Sequence, residues 1–98
     1  MDLDKLVHQP TRLQIFAHLY RHGRTPFQEL KAQLKVTEGN LASHISTMEE
    51  AGALTVEKEF VDKKPRTSYE LTDEGRELFE DHVQTLEALI DQLDGSDP

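Results

Sequence analysis

With 98 residues, of which 36% are hydrophobic and 31% charged, the chain has the length of one folded domain and no apolar run long enough to span a bilayer. It contains no cysteine, which excludes disulfides and thiolate metal sites. Its formal net charge of −8 argues against a polyanionic partner only until its distribution is read: residues 1–71 hold ten Lys/Arg and ten Asp/Glu, and residues 72–98 hold one and nine.

The chain opens on Met1-Asp2-Leu3-Asp4-Lys5, which lacks the apolar stretch of a signal peptide, so a cytoplasmic location is expected. Leu3, Leu6 and Val7 suggest one or two helical turns, interrupted at His8-Gln9-Pro10. Thr11 then reads as an N-cap. Leu13, Phe16, Ala17 and Tyr20 follow at the spacing of one helix face, widened by Ile15 and Leu19, and Gly23 ends the helix. Thr25 reads as a second cap, with Pro26 in the first helical position and Gln28 at the spacing of a capping box. Phe27, Leu30 and Leu34 give this second helix its buried side, and it ends near Lys35-Val36. Thr37 caps a third helix whose Leu41, Ile45 and Met48 point inward, and Ala51-Gly52 closes it. Two helices joined by so short a turn form a helix-turn-helix pattern.

The period then changes. Residues 54–61 read as a strand with Leu54, Val56 and Phe60 as its apolar positions. Asp62-Lys63-Lys64-Pro65-Arg66 forms a polar turn, and residues 67–71 a returning strand. Thr72 caps a last helix, with Asp73 and Glu74 in its first turn where the helix dipole favours them, running to about Leu93. Gly95-Ser96-Asp97-Pro98 reads as a frayed tail. The predicted fold class is mainly α with a small β-hairpin, a winged helix-turn-helix with a long C-terminal dimerisation helix. Residues 1–71 are expected to form the winged-helix domain, 72–94 the acidic helix of the same compact unit, and 95–98 a disordered tail.

A recognition helix needs one apolar face for the core and one small polar face for base edges. With Leu41, Ile45 and Met48 inside, Asn40, Ser43, His44 and Thr47 fall together outside, on a stretch free of Lys and Glu. Asn pairs with adenine, while Ser, Thr and His bond base edges or phosphates. Lys63, Lys64 and Arg66 at the hairpin tip suit phosphate or a narrow minor groove. Arg12, Lys31 and Lys35 are candidates for further phosphate contacts.

The motifs His8-Gln9-Pro10-Thr11-Arg12-Leu13-Gln14-Ile15, Thr37-Glu38-Gly39-Asn40-Leu41-Ala42-Ser43-His44-Ile45, Met48-Glu49-Glu50-Ala51-Gly52, Lys63-Lys64-Pro65-Arg66-Thr67-Ser68-Tyr69 and Leu71-Thr72-Asp73-Glu74-Gly75-Arg76 occur in that order. Together they resemble the compact winged-helix regulators of the MarR/ArsR-like superfamily, and most of all the small stand-alone winged helix DNA-binding domain group. The resemblance implies a dimeric transcription factor, not an enzyme. Where relatives often carry basic residues after the recognition-helix His, this chain has Ser46-Thr47.

Along the last helix, Phe79, Val83, Leu86, Ile90 and Leu93 step by four and three residues, flanked by Leu89, as in a heptad seam. This seam is the expected homodimer interface, and a two-fold dimer would present two recognition helices to a palindromic duplex site. His18 and His22 stand at a metal-binding spacing, but the chain has no Cys and Leu19 stands where a His-Glu-x-x-His motif needs Glu, so no metal is expected, nor any other cofactor. No effector ligand can be named. The expected function is a sequence-specific duplex DNA-binding regulator, acting as a repressor. The alternative is a winged-helix protein-interaction module with weak or no DNA binding, whose acidic helix makes the contact.

Overall fold

The structure, a computed structural model, describes residues 4–94. Leu3 and the tail from Gly95 to Pro98 lie outside the described residues. A short helix α1 (Lys5–His8) is capped by Asp4, whose carboxylate accepts from the backbone N–H of Leu6 at 2.8 Å and Val7 at 3.3 Å. Helix α2 (Pro10–His22) starts two residues earlier than its sequence suggests. Gln9, not Thr11, is the cap, and its side-chain oxygen accepts from Arg12 N at 2.8 Å. Pro10 explains the shift: its φ is pre-set for a first helical turn and its missing N–H costs nothing there. Gly23 ends α2 at φ +79°, where a side chain would be strained.

Thr25 does not cap a helix. With Pro26 it forms a short edge strand, β1 (Thr25–Pro26), pairing antiparallel with Tyr69 and Ser68. Thr25 is fully buried and its hydroxyl donates to Gly23 O at 2.9 Å, so the capping box with Gln28 does not form. Helix α3 (Phe27–Leu34) follows without a side-chain cap bond, and Lys35 ends it in the left-handed region at φ 56°. Thr37 caps α4 (Glu38–Glu50) as its sequence predicts, accepting from Asn40 N at 3.2 Å.

Strands β2 (Leu54–Val61) and β3 (Lys64–Leu71) form the hairpin, and the sheet order is β1-β3-β2. The turn is shorter than its polar run implies. Asp62 and Lys63, at φ 52° and 65°, make a two-residue turn of the kind that matches strand twist. Lys64, Pro65 and Arg66 therefore belong to β3, opposite Val61, Phe60 and Glu59. Phe60 is not a core position: it is 78% exposed, because the hairpin extends beyond the body of the domain.

The core is built from Val7, Ile15, Phe16, Leu19, Leu30, Leu41 and Met48, all fully buried. It joins the face of α2 to the inner sides of α3 and α4 and the base of the sheet. Helix α5 (Asp73–Leu93) closes one side with Leu78 and Phe79. The Phe79 ring stacks on Phe16 with centroids 6.2 Å apart and leans on Tyr20 at 5.0 Å.

The start of α5 is locked to the end of α4. Thr72 N donates to Ala53 O at 3.0 Å, its hydroxyl donates to Gly52 O at 2.6 Å, and the same oxygen accepts from Gly75 N at 3.0 Å. Gly75 lies so close to Ala53 that a Cβ there would stand 2.0 Å from the Ala53 carbonyl oxygen. Backbone, unlike a flexible side chain, cannot swing away. Gly75→Ala is expected to cost about 2–3 kcal/mol and lower the melting temperature by about 10 to 20 °C, measured by thermal unfolding followed by circular dichroism. A melting temperature within a degree or two of the parent would show that the helix re-seats freely.

Candidate nucleic-acid interface

The helix-turn-helix consists of α3, the turn at Lys35-Val36-Thr37, and α4. Burial of Leu41, Ile45 and Met48 fixes the rotation of α4 about its axis. That rotation leaves Asn40, Ser43 and Thr47 exposed and His44 half-buried. The side chains of Asn40 and Ser43 make no hydrogen bond to another side chain or backbone group among the described residues, so their donors and acceptors face solvent. Thr47 differs: its hydroxyl donates to Ser43 O one turn back at 3.1 Å. Its oxygen lone pairs are what it offers outward.

His44 is the member of this group that the fold engages. Its Nδ1 lies 3.1 Å from Nη1 of Arg12 on α2. Burial, and next the Arg12 cation, hold its pKa below the ordinary histidine value, so the imidazole is neutral at pH 7. Arg12 is not a free cation. Its other N–H groups donate to Leu6 O at 2.7 Å and Lys5 O at 3.3 Å, which ties its head to α1.

The wing carries Lys63 in the turn and Lys64 and Arg66 on β3, all exposed. None of them, nor Lys31 or Lys35, takes part in an ion pair among the described residues; the cation that does is Arg24, with Glu57 at 2.7 Å and Glu70 at 3.4 Å. Lys35 is exposed in the helix-turn-helix turn, whereas Lys31 is half-buried. Sequence periodicity assigns Phe60 to the core, but the structure places it on the wing. It sits opposite Pro65 on the wing, giving the hairpin an apolar patch beside its cations. A groove of about 590 Å³ runs between the start of α3 and the wing, lined by Phe27, Gln28, Pro65, Arg66 and Tyr69 among others.

The seam of α5 divides along its length. Phe79 packs within its own chain, Val83, Leu86 and Leu89 are half-buried, and Ile90 and Leu93 are 55% and 84% exposed. His82 is buried on the same helix, with its Nε2 3.4 Å from Nδ1 of His8. Burial, and then His8, lower its pKa, while Asp4 raises it. The rings of His18 and His22 lie tilted with centroids 4.5 Å apart, and Glu29 is 3.9 Å from His18 Nε2. No group of three or more His, Asp or Glu among the described residues is arranged to hold a metal ion, and no described helix is long and apolar enough to cross a membrane.

Comparison with known proteins agrees with this geometry. The chain is similar to a transcriptional regulator homologue from Pyrococcus horikoshii OT3, at 37% identity and a TM-score of 0.86, over 91% of this chain and 88% of that one. It is similar to a transcriptional regulator of the MarR family from Enterococcus faecalis V583, at 25% identity and a TM-score of 0.75, over 95% and 91% of the two chains. An uncharacterized protein of Methanocaldococcus jannaschii is 29% identical over 82 residues, which is 84% of this chain and 89% of that one. Residues 11–90 match the family model of the winged helix DNA-binding domain, and the chain belongs to that family.

Proposed function

We propose that this protein binds duplex DNA sequence-specifically as a homodimer and represses transcription by occupying a palindromic site. The observation that carries the reading is the division of α4. Its apolar residues are sealed in the core, and its outward face offers Asn40, Ser43 and Thr47 with no lysine or glutamate between them. Such a face fits the major groove, where base edges reward short polar side chains. Lys63, Lys64 and Arg66 would hold the backbone or minor groove from the wing, with Phe60 and Pro65 against the sugars. Lys35, exposed in the turn, would add a phosphate contact. Repression needs only occupancy of the site, not a further surface.

Dimerisation rests on the distal half of α5, where Leu86, Ile90 and Leu93 continue the seam past the body of the domain. A second copy of the helix would cover this stripe and set two recognition faces one helical turn of DNA apart. The acidic charge of α5 suits a surface turned away from the duplex.

Selection from a random duplex library at low and moderate salt is expected to enrich a palindrome. Asn40→Ala should then lose about 1–3 kcal/mol of discrimination at one base pair per half-site, with its melting temperature unchanged. The same change leaving every base preference intact would remove Asn40 from the reading face. Replacing Lys64 or Arg66 by Ala should weaken binding about equally to all sequences and flatten the slope of log K against log salt by about one per protomer. For the dimer, sedimentation should give twice the 11.2 kDa chain mass, and Ile90→Asp with Leu93→Asp should give the single-chain mass. A parent protein that sediments as one chain at tens of micromolar excludes the α5 dimer.

One observation favours a second reading. Helix α5 combines seven carboxylates with exposed Ile90 and Leu93, a composition suited to contact with a basic, partly apolar protein surface. In that case the selection would enrich no sequence, and binding to DNA would be weak or absent at every salt concentration.

A further inference from the structure

The contact between Arg12 and His44 has a chemical consequence for base selection. A guanidinium has donors only, and it keeps its charge at any pH a protein survives. At 3.1 Å from Arg12 Nη1, His44 Nδ1 can therefore only accept. An imidazole that accepts at Nδ1 carries its single hydrogen on Nε2. The opposite tautomer would aim an N–H at a cation, and so would the protonated ring.

Arg12 is well fixed for this task. Its Nε donates to Leu6 O at 2.7 Å and its Nη2 to Lys5 O at 3.3 Å, so two backbone carbonyls of α1 set the plane of the fork. A planar, multiply bonded guanidinium loses less freedom per contact than a lysine ammonium would. On the other side of the ring, His44 Nε2 has no partner among the described residues and is not a buried atom lacking one. It reaches solvent from the outward face of α4.

We infer that Arg12 is a positioning residue that holds His44 as an outward Nε2–H donor, so that this place on the recognition helix selects a hydrogen-bond acceptor on the DNA and rejects an amine. This inference rests on the DNA-binding reading and deepens it. In the major groove the acceptors are purine N7, guanine O6 and thymine O4. The amine excluded most sharply is N4 of cytosine, the one hydrogen-bonding group that base presents there. Arg12 itself contacts no DNA; it acts through the ring.

The test has two arms that fail separately. The first uses the free protein labelled with ¹⁵N in histidine. Long-range proton–nitrogen correlation at pH 7 should show His44 as a single neutral species, protonated at Nε2 and bare at Nδ1. An Nδ1–H tautomer, an even mixture or a charged ring overturns the inference, whatever the DNA result. Arg12→Lys keeps the charge but not the fork, and should release the ring to a mixture of tautomers. Should that variant fail to fold, the parent spectrum alone decides this arm.

The second arm is library selection with the parent, His44→Ala and Arg12→Lys. The parent should disfavour cytosine at one position per half-site. His44→Ala should flatten that preference about tenfold, the effect of one good hydrogen bond. Arg12→Lys should flatten the same position and leave the one assigned to Asn40 intact. A cytosine preference there overturns the inference while the DNA-binding reading stands. No enriched sequence at all overturns the DNA-binding reading, and the selectivity with it, while the spectrum still reports the tautomer.

Discussion

The architecture turns on the backbone contact between Ala53 and Gly75. The Ala53 carbonyl accepts the N–H of Thr72 and occupies the space a side chain at position 75 would need. Four elements converge there: the end of α4, the start of β2, the end of β3 and the first turn of α5. Because the approach is backbone to backbone, no rotamer change can relax it. The angle between the recognition helix and the wing is thus set by the same atoms that set the departure of α5. Ala53 itself is fully buried, with Leu54 and Leu71 beside it, so its carbonyl stays out of water. The hydrogen bond it accepts from Thr72 is strengthened by that shielding.

Much of this was legible in the amino-acid order, where one local rule had no competitor. Thr37 and Thr72 cap helices as their positions predict, since no strand claims either residue. Leu41, Ile45 and Met48 fix the rotation of α4, and with it the exposure of Asn40, Ser43 and Thr47. The misses share a cause. Thr25 has all the local signs of a cap, but pairing with Tyr69, forty-four residues away, takes it into a strand. Phe60 alternates correctly for a core strand, but alternation does not tell how far a hairpin outruns its domain. Asp62-Lys63 makes a tight turn without the Asn-Gly or Asp-Gly pair that usually marks one. Arg12 reads as an ordinary helical cation, and its partner His44 is thirty-two residues distant.

The division of charge makes physical sense once the elements are placed. The acids of α5 lie on a helix that packs on the body through Phe79 and His82 and leaves Ile90 and Leu93 exposed near its end. Lys35, Lys63, Lys64 and Arg66, none of them in an ion pair among the described residues, lie exposed in the turn before α4 and on the wing. A protein with a net charge of −8 can in this way still turn a neutral-to-positive surface toward a polyanion. What it gives up is long-range attraction. On the proposed reading, selectivity would then depend more on the short polar side chains of α4 than on phosphate contacts.

Helix α5 sets seven carboxylates against the lone Arg76 along a stripe of Leu86, Ile90 and Leu93. Two such helices laid side by side would repel through their carboxylates while they attract through that stripe. Dissolved ions screen the first force and leave the second in place. The same ions compete with the wing for the duplex. Subunit pairing and duplex binding would therefore answer to ionic strength with opposite sign, so that occupancy peaks at an intermediate salinity. Such a protein would be tuned to the salt content of its surroundings by the carboxylates of one helix.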